Sequence, residues 1–278
     1  MRRLAVYAHY DPDHQVKRYV THSLERIRED CDRIIFVSTA ALPPGEVEKV
    51  RPFCDTVMHR ENIGFDFAMW RDALFATDYA ACDEVVLLNS SVIGPVFPLA
   101  PIFARMAESG CDFWGMTECA IWATHLQSYF LVFRSRLVRA DAFAEFWRSV
   151  LPYRDKVQVI RSYEVGLTRF FEDAGFRYEA LVRHTDLVRG LRTGSLPHGP
   201  FGRLYGAARR FKAWRTWNDP QNPTYLYPLE LLELGVPFVK YELFRDNARR
   251  FPLARVFETL EASGYSREII EGPRGPGA

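Results

Sequence analysis

The sequence lacks the features that mark a secreted or nucleic-acid-binding protein. Its five cysteines are odd in number, and no two of them have the C-x-x-C spacing of a zinc or redox site. We therefore expect buried free thiols in a reducing cytosol. The formal net charge is only +1, which gives no global attraction to nucleic acid or to an anionic membrane. Hydrophobic residues make up 48% of the chain and charged residues 26%, a composition that excludes a disordered chain.

The sequence also lacks a stretch that fits a signal peptide or a membrane helix. The apolar residues after Met1 are interrupted by His9 and Asp11. Residues 85–104 carry no charge and are long enough to span a bilayer, but they contain three prolines and the polar triplet Asn89-Ser90-Ser91. We interpret them as a buried strand, a site loop and the start of a helix, and we expect a cytoplasmic protein.

Short apolar runs alternate with segments of helical periodicity through the first half of the chain. The runs predict four buried strands, at residues 4–8, 33–37, 56–59 and 84–88. The other segments predict helices at residues 16–27, 46–50 and 67–74. This alternation is typical of an α/β fold in which helices cover both faces of a mostly parallel sheet. Because ligands bind such sheets beyond the carboxyl ends of the strands, we expect the site at that edge.

The second half of the chain is less regular. Strands are predicted at residues 111–115 and 129–133, with an aromatic loop between them. Helices are predicted at residues 142–150, after a cap at Asp141, and at residues 164–173, after a cap at Ser162. A Gly-, Pro- and Arg-rich stretch (189–203) and a basic aromatic segment (209–217) follow. The remainder predicts a helix (228–234), a strand (236–241), a last helix and a flexible tail.

Two motifs come directly after predicted strands. In the first, Asn62 to Trp70, Gly64 would let the backbone approach a ligand, and Asp66 could accept hydrogen bonds from ribose or sugar hydroxyls; alternatively, Asp66 only caps a helix. The second is Asn89-Ser90-Ser91, whose side chains would face the ligand crevice or else form a turn. A carboxylate pair there would indicate a Mg²⁺ or Mn²⁺ site for a diphosphate, and no such pair is present.

Three further motifs lie in the second half. Glu164 is predicted in the first turn of a helix, whose dipole keeps a carboxylate ionised, as a general base requires; first-turn acids are also common for that reason alone. Lys240 at a strand end could neutralise a diphosphate or could be a solvated surface charge. The segment around Trp122 and residues 125–129 combines aromatic, amide and hydroxyl groups, as a sugar pocket does, although a polar loop is the alternative.

Taken together and in this order, the motifs are specific, although no single one is. They are V-Y-A-H-Y-D (6–11), E-N-I-G-F-D-F (61–67), L-N-S-S-V-I-G-P (88–95), D-F-W-G-M-T-E (112–118), H-L-Q-S-Y-F (125–130), S-Y-E-V-G-L-T (162–168) and G-V-P-F-V-K (235–240). With this set, the chain resembles the rhamnan synthesis protein F family of polysaccharide-assembly glycosyltransferases across residues 4–248.

The resemblance implies a GT-A-like fold, in which a Rossmann-type, mostly parallel sheet carries helices on both faces. It divides the chain into a nucleotide-sugar-binding and catalytic core (1–188), an insertion (189–227) and a C-terminal helix–strand–helix that completes the site on the acceptor side (228–278). It also implies inverting transfer of a sugar, rhamnose or a related deoxyhexose, from a dTDP-, GDP- or UDP-linked donor. The acceptor would be a growing, lipid-linked surface polysaccharide such as O-antigen.

The resemblance also assigns roles to residues. Asn89-Ser90-Ser91 stands where GT-A enzymes carry a metal-binding Asp-x-Asp motif, and Glu164 stands where inverting enzymes carry their catalytic carboxylate. The residues expected to bind the donor are His9, Tyr10, Asp11, Ser38, Asn62, Gly64, Asp66, Asn89, Ser90, Ser91, Lys240 and Arg245. Those expected to bind the acceptor are Glu118, Trp122, His125, Gln127 and Ser128.

One departure concerns the metal. GT-A enzymes use Mg²⁺ or Mn²⁺, but the Asp-x-Asp carboxylates are missing, and Ser90 stands where an acid is expected even within the family. We therefore predict no metal-binding residue and expect Lys240, Arg245 and helix N-termini to balance the diphosphate charge. The missing acids also favour an alternative function, a non-catalytic glycan- or nucleotide-binding subunit of an assembly complex, which the retained Glu164 opposes.

The basic aromatic segment at residues 209–217 interleaves arginine and lysine with phenylalanine and tryptophan. Such a segment suits the interface of an anionic membrane, so we predict peripheral contact with the inner face of the plasma membrane. A lid packed on the second half of the chain is the alternative. No nucleic-acid partner is predicted.

Overall fold

The described residues of the computed structural model, 1–193, 222–247 and 253–271, contain two β-sheets. Their strands are β1 (Arg3–His9), β2 (Arg33–Ser38), β3 (Thr56–His59), β4 (Glu84–Asn89), β5 (Val92–Ile93), β6 (Phe113–Cys119), β7 (His125–Leu126), β8 (Phe130–Arg134), β9 (Tyr178–Val182) and β10 (Val239–Lys240). The large sheet has the order β3-β2-β1-β4-β8-β6-β7, and β9 pairs with β6. Within it, β1 to β4 are parallel to one another, whereas β8 runs antiparallel to both β4 and β6. The small sheet is the antiparallel pair of β5 and β10.

Helices connect most of these strands. They are α1 (Arg18–Arg28), α2 (Pro44–Val50), α3 (Phe65–Phe75), α4 (Ala100–Ala107), α5 (Ser135–Val138), α6 (Asp141–Ser149), α7 (Lys156–Val159), α8 (Val165–Asp173), α9 (His184–Thr193), α10 (Pro223–Leu226), α11 (Pro228–Glu233), α12 (Glu242–Arg245), α13 (Leu253–Ala262) and α14 (Arg267–Glu271). A π-helical turn, Ile160–Glu164, joins α7 to α8.

Both faces of the large sheet are buried beneath helices. Alternate residues of β1 point to opposite faces, as in any strand. Ala5 and Tyr7 belong to the core that contains α1 and the C-terminal helices, whereas Leu4, Val6 and Ala8 belong to the core that contains α3, α6 and α8. The predicted fold class, a mostly parallel sheet with helices on both faces, is therefore confirmed.

Residues 85–104 form β4, β5 and the start of α4, which agrees with their interpretation as a buried strand, a loop and the start of a helix. In the part of the chain that the structure describes, no helix is long and apolar enough to cross a membrane. All five cysteines are free, as expected, and only Cys54 is not fully buried. The insertion and the tail, including residues 209–217, lie largely outside the described residues.

The predicted helix start at Ser162 is wrong. The helix begins at Lys156, because the Asp155 carboxylate accepts a 2.9 Å hydrogen bond from the backbone N–H of Val157 and so caps α7. The π turn then carries the chain from α7 directly into α8. Glu164 consequently lies inside a continuous helical segment rather than in a first turn.

Two smaller predictions also fail. Asp141 is the first residue of α6 rather than its cap, a position that Ala140 occupies. The strand predicted at residues 236–241 is reduced to Val239 and Lys240. Pro237 explains the shortening, because proline has no N–H to donate to a strand ladder.

Candidate active site

The carboxyl ends of β1, β2 and β4 meet at one edge of the sheet, because the strand register pairs His9 with Ser38 and Ala8 with Asn89. His9 and Ser38 are each only 1% exposed, and His9 Nδ1 lies 3.0 Å from Ser38 Oγ. Burial lowers the pKa of His9 to about 4, against weaker opposing effects of the Gln15 backbone and Glu46. The imidazole is therefore neutral at physiological pH and forms part of the floor of this edge.

The loop after β1 is organised by Asp11. Its carboxylate accepts hydrogen bonds from the backbone N–H groups of Asp13 (2.9 Å) and Gln15 (3.2 Å), and Lys17 lies 3.7 Å away. Tyr10 is 48% exposed, and its backbone N–H donates to Ser90 Oγ at 3.2 Å. Asp11 thus shapes the loop, whereas Tyr10 presents an aromatic ring at the surface beside it.

A chain of hydrogen bonds at the carboxyl end of β4 joins four of the residues that were predicted to bind the donor. Asn89 Nδ2 donates to Asp66 Oδ2 at 2.6 Å, and Asn89 Oδ1 accepts from the Ser91 backbone (3.1 Å) and hydroxyl (2.5 Å). Lys240 Nζ donates to Ser91 Oγ at 3.1 Å. The structure therefore brings Asp66, Asn89, Ser91 and Lys240 together although they come from three separate parts of the sequence.

Lys240 reaches this chain because β10 pairs with β5, with Lys240 opposite Val92. Its ammonium group lies 5.8 Å from the ring centres of both Tyr129 and Tyr225, within the range of cation–π attraction. Burial lowers the pKa of Lys240, and the carboxylates of Glu164 and Asp66 oppose that lowering. The sequence placed Tyr129 in a candidate sugar-binding segment but did not single out Tyr225, and no local pattern indicates that residues so far apart flank one lysine.

The pKa values of Asp66 and Glu164 are shifted in opposite directions by their surroundings. Burial raises the pKa of Asp66 to about 6, in spite of the nearby ammonium groups of Lys240 and Lys156. Burial also acts to raise the pKa of Glu164, but the nearby His125 ring and the hydrogen bonds from Ser128 more than offset it and hold the pKa below its ordinary value. Glu164 is therefore the stronger acid and stays ionised at neutral pH.

The Glu164 carboxylate is held by residues 120–129, the β6–β8 loop, which includes the two-residue strand β7. Glu164 Oε2 accepts hydrogen bonds from the backbone N–H of Ser128 at 3.1 Å and from the Ser128 hydroxyl, and His125 Nε2 lies 3.8 Å from Glu164 Oε1. About a fifth of the Glu164 side chain, 20%, is still accessible. The π turn that carries Glu164 is a type of helix irregularity found frequently at functional sites.

The same loop contacts the π turn a third time, through Trp122. Trp122 is 53% exposed and has a positive φ of 62°, which is uncommon for a bulky residue. The Arg161 guanidinium lies 4.7 Å from the centre of its indole ring. Arg161, which the sequence did not single out, thus covers one face of the ring.

Gln127 points into the protein rather than toward Glu164. Its amide oxygen accepts from Thr117 Oγ1 at 2.8 Å, and its amide nitrogen donates to Asn222 Oδ1 at 2.9 Å. Thr117 also contacts the Tyr129 hydroxyl at 2.9 Å. Gln127 therefore ties the loop to the segment before α10, and Asn222 is a further contributor that lacked a sequence signal.

Three predicted residues lie apart from this cluster. The Glu118 carboxylate accepts from Tyr178 OH (2.8 Å) and from the backbone N–H of His184 (3.1 Å). Arg245 is paired with Asp246, with Nη2 2.5 Å from Oδ2. Glu118 and Arg245 line two separate cavities of about 770 Å³, and neither cavity is lined by Glu164 or Lys240. Asn62 is an exposed loop residue.

Gly64 lies where the chain packs closely on itself. It adopts a left-handed φ of 82° at the N-cap of α3, and its N–H donates to the Tyr153 carbonyl at 3.1 Å. A Cβ atom there would lie 2.6 Å from Ala68 Cβ and 2.7 Å from Pro152 Cα. The glycine is thus required for close packing of the chain on itself.

Within the described ranges, no group of three or more His, Cys, Asp or Glu side chains could hold a metal ion. The cluster instead offers one ionised carboxylate (Glu164), one carboxyl of raised pKa (Asp66) and one ammonium group (Lys240). Such a set can accept a proton from a hydroxyl and can balance negative charge on a leaving group.

Comparisons with known proteins agree with the sequence motifs. The family model of rhamnan synthesis protein F matches residues 34–195, more than half of the chain. The virulence protein VirA of Vibrio anguillarum is 26% identical over 281 residues, which cover 96% of this chain and 88% of the relative.

Among solved structures, S. aureus TarS is similar over 98% of this chain and 90% of its own, with 12% identity and a TM-score of 0.42. The glycosyltransferase GlyE of Streptococcus pneumoniae is similar over 83% of this chain and 53% of its own, with 17% identity and a TM-score of 0.40.

Proposed function

This chain belongs to the rhamnan synthesis protein F family, and from that premise we propose that it is a glycosyltransferase acting on a nucleotide-sugar donor. The donor sugar is rhamnose or a related deoxyhexose, linked to dTDP, GDP or UDP. The acceptor is a growing surface polysaccharide on a lipid carrier, and transfer inverts the anomeric configuration. Family membership and the motifs at the sheet edge support this proposal.

The Glu164 carboxylate is the observation that carries the proposal. It is ionised, partly accessible and held in one orientation by Ser128, so it can act as a general base. Glu164 accepts the proton of an acceptor hydroxyl while that oxygen attacks the anomeric carbon. The bond from the anomeric carbon to the diphosphate oxygen breaks, and its electron pair leaves with the nucleotide diphosphate. Attack from the side opposite the leaving group inverts the anomeric carbon.

We assign the other residues of the cluster to two sides. Asp66, Asn89 and Ser91 lie at the carboxyl edge of the parallel strands, where ligands bind α/β sheets, and they form the donor side. Trp122, His125 and Ser128 come from the loop that holds Glu164, and they form the acceptor side. Glu164 is held by Ser128 of the acceptor side, where a base that activates the acceptor is needed.

Replacing Glu164 with glutamine tests the proposal. Glu164→Gln keeps the shape of the side chain and one acceptor oxygen for Ser128 but removes the base, so we expect a loss of about 10²–10⁴-fold in transfer rate. Nucleotide binding, measured by thermal shift with UDP, GDP and dTDP, should persist. Glu172→Gln, an exposed glutamate on α8, is the matched control and should retain full activity. Unchanged transfer by Glu164→Gln would remove Glu164 from the mechanism.

A non-catalytic glycan- or nucleotide-binding subunit is the second candidate, because the Asn89-Ser90-Ser91 triplet lacks the expected carboxylates. The two functions differ in donor turnover. A binding subunit would release no nucleotide from any sugar nucleotide, with or without acceptor, although it would still bind the donor.

A further inference from the structure

We propose that the Lys240 ammonium group takes the place of the divalent cation of related folds and balances the charge of the leaving diphosphate. The inference rests on the proposed function and adds to it the means of leaving-group stabilisation. It also distinguishes Lys240 from Arg245, which the sequence could not do. The Mg²⁺ or Mn²⁺ that GT-A enzymes use does not fit the residues that are present.

The triplet at the end of β4 has its side-chain oxygens engaged elsewhere. Ser90 Oγ accepts from the Tyr10 backbone, Asn89 Oδ1 accepts from Ser91, and Ser91 Oγ accepts from Lys240. None of these groups is a carboxylate, whereas Mg²⁺ and Mn²⁺ are held in proteins mainly by carboxylate oxygens. A divalent cation would have to break this hydrogen-bonded chain and would gain only neutral ligands.

The nearby carboxylates are also poor metal ligands. Asp66 Oδ2 already accepts a 2.6 Å hydrogen bond from the Asn89 amide, so a cation would have to compete with that bond for the carboxylate. Glu164 is bound to Ser128, and it cannot serve as a free base while it ligates a cation.

Lys240, in contrast, is placed for this role. Pairing of β10 with β5 fixes its backbone, and the rings of Tyr129 and Tyr225 flank its ammonium group. An ammonium group has three N–H donors, of which Ser91 accepts one. Among the described residues, the other two have no hydrogen-bond acceptor. Phosphate oxygens are the strong acceptors that such donors take.

Arg245 does not share these properties. Its guanidinium is already paired with Asp246, and half of its side chain, 50%, is exposed. It also lines a cavity to which Lys240 does not contribute. The surroundings therefore favour Lys240 over Arg245 as the group that balances the diphosphate charge, a choice that the sequence left open.

In the proposed transfer step, the electron pair, the proton and the charge are all accounted for without a metal ion. When the bond to the anomeric carbon breaks, the diphosphate oxygen keeps the electron pair and gains negative charge, and the Lys240 N–H groups donate to it. The acceptor proton goes to Glu164. Nothing is oxidised or reduced, and Lys240 begins and ends the step as an ammonium ion.

Calorimetric titration of the full chain with UDP, GDP and dTDP, each compared with its nucleoside monophosphate, tests the inference. The titrations are run in EDTA and, separately, with Mn²⁺. We expect at least one diphosphate to bind the wild-type protein in EDTA. Lys240→Met should weaken that binding by at least about tenfold and should leave monophosphate binding nearly unchanged, because a hydrogen bond to a charged group is lost. Lys240→Arg should keep most of the preference for the diphosphate.

Lys49→Met is the matched control, because Lys49 is a half-exposed lysine paired with Glu46 on α2; it should bind like the wild type. Thermal melting of each variant establishes that it is folded. Binding of the diphosphate only with Mn²⁺, and equally well by Lys240→Met, overturns the inference and leaves the proposed function standing. If none of the three diphosphates binds under either condition, the proposed function fails and the inference fails with it.

Discussion

At the scale of single residues, the tautomer of His125 determines whether its ring can donate a hydrogen bond to Glu164. Its Nδ1 atom lies 2.8 Å from the Ala123 carbonyl oxygen, which only accepts hydrogen bonds, so Nδ1 carries a proton. The Nε2 atom that faces Glu164 can then donate only when the ring is an imidazolium ion. The Ser128 hydroxyl has no such restriction and donates to the Glu164 carboxylate whichever form the His125 ring takes.

This difference predicts a shift in the pH profile of Ser128→Ala. Without the hydroxyl, the effect of burial on Glu164 is less opposed, so its pKa rises and its base form is lost at a higher pH. We expect the acid limb of kcat/KM for transfer to move to higher pH. Ser128→Thr keeps a hydroxyl and should restore the wild-type profile. An acid limb that stays in place or moves to lower pH would contradict this account of the Glu164 pKa.

At the scale of secondary-structure elements, the π turn and the β6–β8 loop behave as one unit. Trp122, His125 and Ser128 of the loop each contact Arg161 or Glu164 of the turn. The base and the exposed indole ring are thereby fixed relative to each other. A sugar ring that stacks on the free face of Trp122 would present its hydroxyls near Glu164.

Trp122→Ala should therefore weaken acceptor binding rather than donor binding. With a short rhamnose oligosaccharide as acceptor, we expect KM for the acceptor to rise on the order of five- to tenfold. Nucleotide binding should not change. Phe75→Ala, which removes another exposed ring (46% exposed) at the end of α3, is the control. Equal effects of the two substitutions on the acceptor KM would mean that Trp122 has no specific role there.

The elements differed in how readily their sequences predicted them. The first half was predictable because each buried strand is a short apolar run bounded by turn residues, and β3 was predicted with its observed limits. The helical segment around Glu164 was misplaced because the cap at Asp155 was overlooked and because a π turn has no distinctive sequence pattern. Lys240 was a candidate from the sequence, but its partner Ser91 lies 149 positions away and only the fold joins them.

At the scale of the whole molecule, we predict that the protein contacts an anionic membrane surface. The proposed lipid-linked acceptor requires access to a membrane surface, and residues 209–217 combine four cations with three aromatic rings. We expect the protein to cosediment with anionic liposomes at low salt and to be released as salt rises, because charges at a surface are screened over about 10 Å at 0.1 M salt.

Paired substitution of Trp214 and Trp217 by alanine should lower liposome binding further. Neutral liposomes are the control, because they retain the interface but lack the attracting charge. A wild-type protein that stays wholly in the supernatant with anionic liposomes at low salt would exclude this mode of membrane contact. Residues 209–217 would then fit the alternative, a lid packed on the second half of the chain.

The pairing of β5 with β10 has a consequence for protein synthesis. A ribosome makes the chain from its N-terminus, so β1 to β9 can emerge and begin to pair before Lys240 has been translated. Glu164 and its loop would already be present in such a nascent chain, but the ammonium group beside Ser91 would not. A product released early would thus possess the base without the cation. On this view, the chain becomes able to expel a nucleotide diphosphate only after translation has passed residue 240.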